Sequence, residues 1–131
     1  MGRYAAFLLL LSVLPSVAAC SIFTAPEPPW RPPDAVPYEP PAIYATWWAE
    51  VTACLGMPDD GFERIAWYRV GDGYGFSTPD YGRASGRWVP PHEVYIAFRH
   101  TRTRYIVKHE MIHELLRGGS HDDPRFACAR A

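Results

Sequence analysis

The side chains best suited to chemistry lie in the stretch from Val107 to His121. His109 and His113 are four residues apart, so on an α-helix they lie one turn apart on the same face and can bind a single metal ion. Glu110 lies about 100° around such a helix from His109. A carboxylate there can take a proton from a water molecule at the metal without being a ligand itself. The spacing His-Glu-x-x-His therefore predicts a zinc-binding helix in which Glu110 is a general base.

The residues around this pattern favour a buried helix. Apolar side chains fall on most of its sides, namely Ile106, Val107, Met111, Ile112, Leu115 and Leu116. Gly118 and Gly119 predict its end, because glycine readily adopts the left-handed conformation that follows a helix. Two histidines and a carboxylate on a buried helix are costly unless they are paired or bind a metal. This cost argues against the alternative that the histidines are incidental core or surface groups.

A catalytic zinc site needs three protein ligands and one open position. There is no further glutamate between Glu114 and the end of the printed sequence. If the third ligand were a glutamate, it would therefore have to be Glu114 or an earlier residue. The other nearby candidates are His121, Asp122 and Asp123. We expect His121, because imidazole suits zinc and the two glycines let the chain turn back towards the helix.

This stretch resembles the metal-binding core of the zincin metallopeptidases. The run His109-Glu110-x-x-His113, followed by His121-x-x-Pro124-x-Phe126, is similar to SprT-like and Spartan-type proteases. In those proteases a third histidine follows the helix, and an aromatic residue comes shortly after it. The resemblance covers about residues 106–128. It departs from the metzincin pattern, in which the third histidine comes sooner and a glycine stands where this chain has Leu116.

The resemblance implies a small α+β domain, in which a short antiparallel or mixed sheet packs on the central metal helix and an N-terminal helix. It implies Zn²⁺ held by His109, His113 and His121. It also implies hydrolysis of peptide bonds in a peptide or protein substrate, with Glu110 as the general base.

The same resemblance suggests where a substrate would lie. In zincins a strand shortly before the metal helix commonly borders the cleft and pairs with extended substrate, so residues 94–98 are expected to form that edge. An oxyanion donor should assist the reaction. The candidates for this donor are Tyr95, His100 and Tyr105.

The N-terminus has the features of a secretory signal. Arg3 supplies positive charge, and residues 5–14 form an apolar run that is too short to span a bilayer. The run Val17-Ala18-Ala19-Cys20 resembles a bacterial lipoprotein box, in which the cysteine becomes the lipidated first residue. An ordinary signal peptide cut at the same place is the alternative. The resemblance implies that residues 1–19 are removed and that Cys20 anchors the protein to the cell envelope, with the following serine favouring the outer membrane.

Residues 20–41 are expected to form a proline-rich linker. Proline cannot continue a helix or a central strand, and it favours extended polyproline II. The prolines of this segment are Pro26, Pro28, Pro29, Pro32, Pro33, Pro37, Pro40 and Pro41. A semi-rigid spacer is the expected role, and a ligand for proline-reading modules is the alternative. The remaining residues, 42–131, are expected to form one small globular domain.

The pattern of that domain predicts an α+β fold. Residues 42–55 favour a helix that ends at Gly56. Residues 65–70 and 93–99 favour strands, because aromatic and β-branched residues are frequent there and the second run alternates. The glycine-rich residues 71–88 are expected to form a long flexible connection that borders the cleft.

The chain contains three cysteines. If Cys20 carries lipid, Cys54 and Cys128 remain and form a natural disulfide pair in an oxidising compartment. The bond would tie the first helix to the tail beyond the metal loop, and it would fix the position of His121. Cysteine metal ligands are the lesser alternative, because oxidation would compete with metal binding.

The charge distribution limits the possible partners. The formal net charge is −1, which argues against a general nucleic-acid-binding protein. A basic stretch precedes the metal helix and contains Arg99, His100, Arg102, Arg104 and Lys108. A solvated turn is the expected role of this stretch, and contact with an anionic substrate is the alternative.

Two other classes of function remain beside the enzyme. One is a zinc-binding lipoprotein without catalysis, acting as a scaffold or binding module. A structural zinc site has four protein ligands, so a fourth ligand such as Asp122 would favour it, whereas Glu110 would have no role there. The other class is a metal-free envelope protein that a disulfide stabilises.

Overall fold

A computed structural model describes residues 29–131 as an α+β fold, the class that the sequence predicts. Two α-helices are present, α1 (Ile43–Leu55) and α2 (Arg104–Leu116). The six strands are β1 (Ala35–Pro37), β2 (Ala66–Val70), β3 (Phe76–Thr78), β4 (Gly82–Ala84), β5 (Gly86–Val89) and β6 (Glu93–Ala97). Short 3₁₀ helices lie at Phe62–Arg64, Phe98–His100 and Pro124–Ala129. Within residues 29–131, neither α-helix is long and apolar enough to cross a membrane.

Three of the predictions lie outside the described residues. These are the signal sequence, the lipid anchor on Cys20 and the first part of the proline-rich segment. The predicted first helix and the two predicted strands are present, with ends that differ by no more than two residues.

Four strands form a mixed sheet in the order β1-β2-β6-β5. β2 and β6 are parallel, whereas β1 and β5 pair antiparallel with their neighbours. β5 therefore lies at one edge, and among the described residues no strand pairs with its outer side. β3 and β4 form a separate antiparallel hairpin.

The main core lies between this sheet and the two α-helices. Alternate residues of a strand point to opposite faces, and in β6 Val94 and Ile96 face the helices. The other buried members of this core are Tyr44, Trp47, Trp48, Ile65, Trp67, Val107 and Met111. The aromatic side chains of α1 are therefore packing surface, and they fix α1 against α2 and the sheet.

A second, smaller core joins α1 and α2 to the tail of the chain. Its buried members are Val51, Ile112, Phe126, Cys128 and Ala129. Cys54 and Cys128 form the predicted disulfide, with their Cα atoms 5.8 Å apart. The 3₁₀ helix Pro124–Ala129 is thereby held against both helices.

The opposite face of the sheet is covered by part of the segment that the sequence assigns to a linker. Ala35–Pro37 forms β1 and pairs with β2. Just before it, the Arg31 side chain donates hydrogen bonds to the Tyr95 hydroxyl and the Glu93 carboxylate. Its guanidinium also lies 4.8 Å from the centre of the Tyr68 ring. The folded domain therefore begins before residue 42. The proline-rich segment packs over aromatic side chains on this face of the sheet and shields them from solvent.

The glycine-rich stretch 71–88 differs from its predicted form. It contains β3, β4 and most of β5 instead of one long flexible connection. Each of these strands has only three or four residues, too few for a clear alternation of apolar and polar residues.

Replacing Cys54 and Cys128 together by serine should destabilise the fold. The bond joins residues 74 positions apart, and loss of such a cross-link typically costs about 2–5 kcal/mol of unfolding free energy. Unfolding of the purified chain in guanidinium chloride measures this change. The parent chain with a reductant should then unfold like the variant, and the variant itself should not respond to reductant. Alkylation of both cysteines in the unreduced parent would contradict the pairing.

Candidate metal centre

Three histidines meet at the C-terminal half of α2. One ring nitrogen from each of His109, His113 and His121 can be chosen so that all three atoms lie within 4.8 Å of one another. The Nε2 atoms of His113 and His121 are 3.2 Å apart. Two of these residues come from one face of α2, and the third returns to them from the loop that follows.

The return of the chain depends on the residues that end α2. Arg117 has a positive φ of 56°, and Gly118 and Gly119 have φ values of 131° and 103°. Residues with a side chain rarely adopt such backbone angles, and this explains why positions 118 and 119 are glycines. The backbone N–H of Gly118 donates to the carbonyl of His113. This tight turn brings His121 back over the helix within five residues of its end.

The same turn orients His113. Its Nδ1 lies 2.9 Å from the carbonyl oxygen of Gly118. A carbonyl can only accept, so Nδ1 carries the proton and Nε2 keeps its lone pair. Metal-binding histidines commonly donate their second nitrogen in this way.

Phe126 is the platform under the three imidazoles. Its ring centre lies 4.7 Å from that of His109, 4.6 Å from that of His113 and 5.9 Å from that of His121. A Cβ atom at Gly119 would lie 3.2 Å from the Phe126 ring, so the turn and the platform are closely packed. The aromatic residue that the family resemblance singles out therefore supports all three histidines.

The electrostatics of the cluster favour neutral imidazoles. Burial lowers the pKa of His109 to about 4, and the neighbouring His113 and His121 act in the same direction. Burial also lowers the pKa of His113. Neutral imidazole is the form that binds a metal.

The donor set fits a zinc ion. Imidazole nitrogen is a common zinc ligand, and three such ligands with one open position make a catalytic type of site. Moreover, His109 Nδ1 is buried and has no hydrogen-bond partner among the described residues. A buried nitrogen without a partner is costly in free energy, so the histidines are not held there by hydrogen bonds alone.

Glu110 lies beside the cluster but is not part of it. Its side chain is only 5% exposed and packs against β5, where a Cβ atom at Gly86 would lie 2.7 Å from the Glu110 Oε1. Burial raises the pKa of Glu110 to about 8, while the backbone of Trp88 and the Arg87 guanidinium act in the opposite direction. A divalent cation nearby would favour the ionised carboxylate.

Glu114 has a different role, which the sequence does not reveal. Its buried carboxylate accepts hydrogen bonds from Trp88 Nε1 at 2.6 Å, Arg117 at 2.9 Å and His92 Nδ1 at 2.7 Å. These contacts join α2 to β5 and to the turn after it. Glu114 is therefore fully engaged away from the three histidines.

The two acidic alternatives for the third ligand are also placed elsewhere. Asp123 accepts from the backbone of Arg125 and forms an ion pair with its guanidinium. Arg125 holds the pKa of Asp123 well below its usual range, at about 2. Asp122 is exposed and does not belong to the cluster. Among the described residues, no fourth metal-binding side chain lies together with the three histidines.

The candidate oxyanion donors differ in position. Tyr95 is buried on the far face of the sheet, where it donates to Glu93, so that prediction is wrong. His100 lies within hydrogen-bond distance of Thr103 and outside the cluster. Tyr105 is half-exposed, and its ring centre lies 6.0 Å from that of His109.

A second tyrosine near the cluster was not predicted. Tyr81, at the tip of the β3–β4 hairpin, is 75% exposed, and its ring centre lies 6.4 Å from that of His121. Asp80 beside it forms an ion pair with Arg87 of β5. The glycine-rich stretch thus does border the site, as expected, through this hairpin.

The predicted substrate edge is wrong as well. Residues 94–97 belong to β6, which has β2 on one side and β5 on the other, so its backbone is already paired. Among the described strands, β5 is the one that packs against α2 and has one side without a paired strand. Sequence order alone does not reveal this, because β5 precedes β6 and yet lies outside it.

No protein-family model matches this chain, and neither a curated protein nor a solved structure is significantly similar to it.

The purified chain should bind one zinc ion, and His121→Ala should weaken binding severely. Loss of a ligand should exceed the roughly 10- to 100-fold effect typical of losing an outer hydrogen-bond partner. Elemental analysis gives the stoichiometry, and competition with a chelating dye gives the affinity. Asp122→Ala is the matched control, because it removes an exposed carboxylate one residue away. Equal zinc affinity in the His121→Ala and parent chains would reject the three-histidine site.

Proposed function

We propose that this chain is a zinc-dependent metallopeptidase that hydrolyses peptide bonds. The observation that supports it most is the convergence of three imidazole nitrogens within 4.8 Å. Glu110, adjacent to one of these histidines, has a carboxyl group that burial and packing hold in place. This is the donor set of an open zinc site with a general base beside it.

Zinc bound by His109, His113 and His121 would polarise a substrate carbonyl and make water a nucleophile at neutral pH. The ionised Glu110 carboxylate accepts the proton of the attacking water. It then gives that proton to the departing amine, so that one side chain acts as base and then as acid. The packing of Glu110 against Gly86 limits the freedom of its side chain.

A peptide substrate would lie between two walls. On one side is the edge strand β5 with the Tyr81 hairpin, and on the other is Tyr105 at the start of α2. The unpaired side of β5 can pair with an extended peptide through the backbone, which holds substrate without fixing its sequence. The rings of Tyr81 and Tyr105 lie near His121 and His109, respectively. Their hydroxyl groups are the proposed candidates for oxyanion stabilisation.

A non-catalytic zinc-binding module is the second candidate function. The observation that favours it is the deep burial of Glu110 against β5, since a carboxyl group in that position could serve packing alone. The absence of a fourth protein ligand among the described residues favours the enzyme, because structural zinc sites are closed. In either case we propose, from the lipoprotein box at Cys20, that the domain is held at the bacterial cell envelope.

Glu110→Gln should bind zinc like the parent and lose turnover. The amide has nearly the same shape but cannot take a proton, and loss of a general base typically costs about 100- to 10,000-fold in rate. Release of fluorescent fragments from labelled casein by the zinc-loaded chain measures it. Glu63→Gln, at an exposed carboxylate in the 3₁₀ helix Phe62–Arg64, is the matched control. Full activity in Glu110→Gln would reject the role given to Glu110, and a zinc-loaded parent without any cleavage would favour the binding module.

Gly86→Ala should displace the Glu110 carboxyl group and leave the zinc ligands alone. Its Cβ would lie 2.7 Å from Oε1 and 2.9 Å from Cγ of Glu110, so the side chain must move. A displacement of about 1 Å can lower turnover about 100-fold. The same fragment-release assay, with zinc stoichiometry beside it, measures this effect.

Gly73→Ala is the control for that substitution. The nearest atom to its Cβ is 3.9 Å away, at the end of the Arg83 side chain. It should therefore keep both zinc and turnover. If Gly86→Ala also kept full turnover, the position of the Glu110 carboxyl group would not matter for the reaction.

A further inference from the structure

An open groove of about 480 Å³ lies at the start of α2, beside the metal centre. It is lined by Arg104, Tyr105, Ala129 and Arg130. Two of its four residues are therefore arginines, contributed by segments that are far apart in the sequence. None of these four residues belongs to the three-histidine cluster.

Tyr105 connects the groove to the metal centre. It lies four residues before His109, one turn along the same face of α2, and the two ring centres are 6.0 Å apart. On its other side, the Arg130 guanidinium carbon lies 5.7 Å from the centre of the Tyr105 ring. Through Tyr105, the groove thus lies next to His109 of the candidate metal centre.

The charges of the groove are not fully balanced by the described residues. Arg104 forms an ion pair with Glu50 at 2.7 Å. Lys108, which is buried below, donates to the same Glu50 and to the carbonyl of Ala131. Arg130 forms no ion pair and no side-chain hydrogen bond with the residues that the structure describes, and it is exposed.

The other wall of the site also carries a guanidinium close to the histidines. There the guanidinium of Arg87 is paired with Asp80 and is partly buried, and it packs over the rings of Trp30 and Tyr81. At the groove, an anionic group on a substrate would meet the Arg130 guanidinium, which has no ion pair among the described residues. A guanidinium offers planar, paired donors that match a carboxylate.

We propose that the groove of Arg104, Tyr105 and Arg130 binds a carboxylate of the substrate and makes the site selective for acidic peptides. This proposal rests on the peptidase function proposed above and names its substrate class. Because the groove starts one helical turn from His109, the carboxylate would lie within about three residues of the cleaved bond, at roughly 3.3 Å per residue of an extended chain. The carboxylate could belong to a glutamate or aspartate side chain or to the free C-terminus of the peptide, and the two sources are separated by experiment.

The test uses the zinc-loaded full-length Glu110→Gln chain, so that peptides bind without being cleaved. The probes are alanine-rich nonapeptides with an uncharged fluorescent label and an amidated C-terminus. A single Glu, Gln or Lys is placed at each position in turn. A further probe has the Gln sequence with a free C-terminus. Fluorescence anisotropy gives the dissociation constant of each.

At one or two positions, the Glu peptide should bind about three- to tenfold more tightly than the Gln peptide, and the Lys peptide should bind more weakly than either. Raising the salt concentration should reduce this preference. Arg130→Gln should bring the Glu-to-Gln ratio close to one while leaving the affinity for the Gln peptide unchanged. Arg64→Gln, at an exposed arginine folded over Gly61, changes the net charge equally and should keep the preference. If the preference instead follows the free C-terminus, the bound group is the terminal carboxylate.

The proposal would be overturned if the zinc-loaded Glu110→Gln chain bound the Glu peptides and the free C-terminus no more tightly than the Gln peptides. It would also be overturned if the preference for a carboxylate survived both Arg104→Gln and Arg130→Gln in that chain. The peptidase function fails separately. Cleavage of peptides by the Glu110-containing chain without acidic selectivity would keep the enzyme and reject the groove. Acidic selectivity without any cleavage would keep the groove as a binding site for acidic peptides and reject the enzyme.

Discussion

The packing of Phe126 under three imidazoles is the interaction on which the rest of this site depends. Its ring centre lies within 6 Å of all three histidine rings, so no histidine can move without disturbing it. Gly119 has a φ of 103°, which residues with a side chain rarely adopt, and a Cβ atom there would lie 3.2 Å from the same ring. The Cys54–Cys128 bond fixes the chain two residues beyond Phe126 to α1. The smaller core therefore positions the three histidines as much as α2 does.

Two carboxylates one turn apart on α2 show how similar residues acquire different roles. Glu114 accepts three hydrogen bonds and ties the helix to β5. Glu110 is equally buried, but the described side chains give it no comparable set of donors, and burial raises its pKa to about 8. A buried carboxyl group with few donors is unstable when ionised. Such a group is typical of functional sites, whereas a saturated one is typical of a structural link.

The sequence predicts the elements that have a clear period and misses those defined by packing. The metal helix, α1 and the strands β2 and β6 show helical or alternating patterns, and the cysteine pairing follows from counting. The position of β5 at the sheet edge cannot be predicted in this way, because the order of strands in a sheet depends on contacts between distant segments. The same limitation explains Tyr95, which sequence order places near the metal helix but strand alternation turns to the far face of the sheet. Likewise Tyr81 reaches His121 through a hairpin too short to show a pattern.

The three histidines and Glu110 come from one helix and the loop that follows it, since α2 carries His109, His113 and Glu110 and the loop carries His121. In the proposed function, the walls on either side come from β5 with the β3–β4 hairpin and from Tyr105 with the neighbouring tail. Each wall is fixed by a specific bond, the Asp80–Arg87 ion pair on one side and the disulfide on the other. Arg87 is paired with Asp80 on the hairpin side, whereas Arg130 on the tail side forms no ion pair with the described residues and packs over the Tyr105 ring. Under the proposed function, a carboxylate held at Arg130 would give a bound peptide a preferred direction, which a site with equivalent walls around the same three histidines would lack.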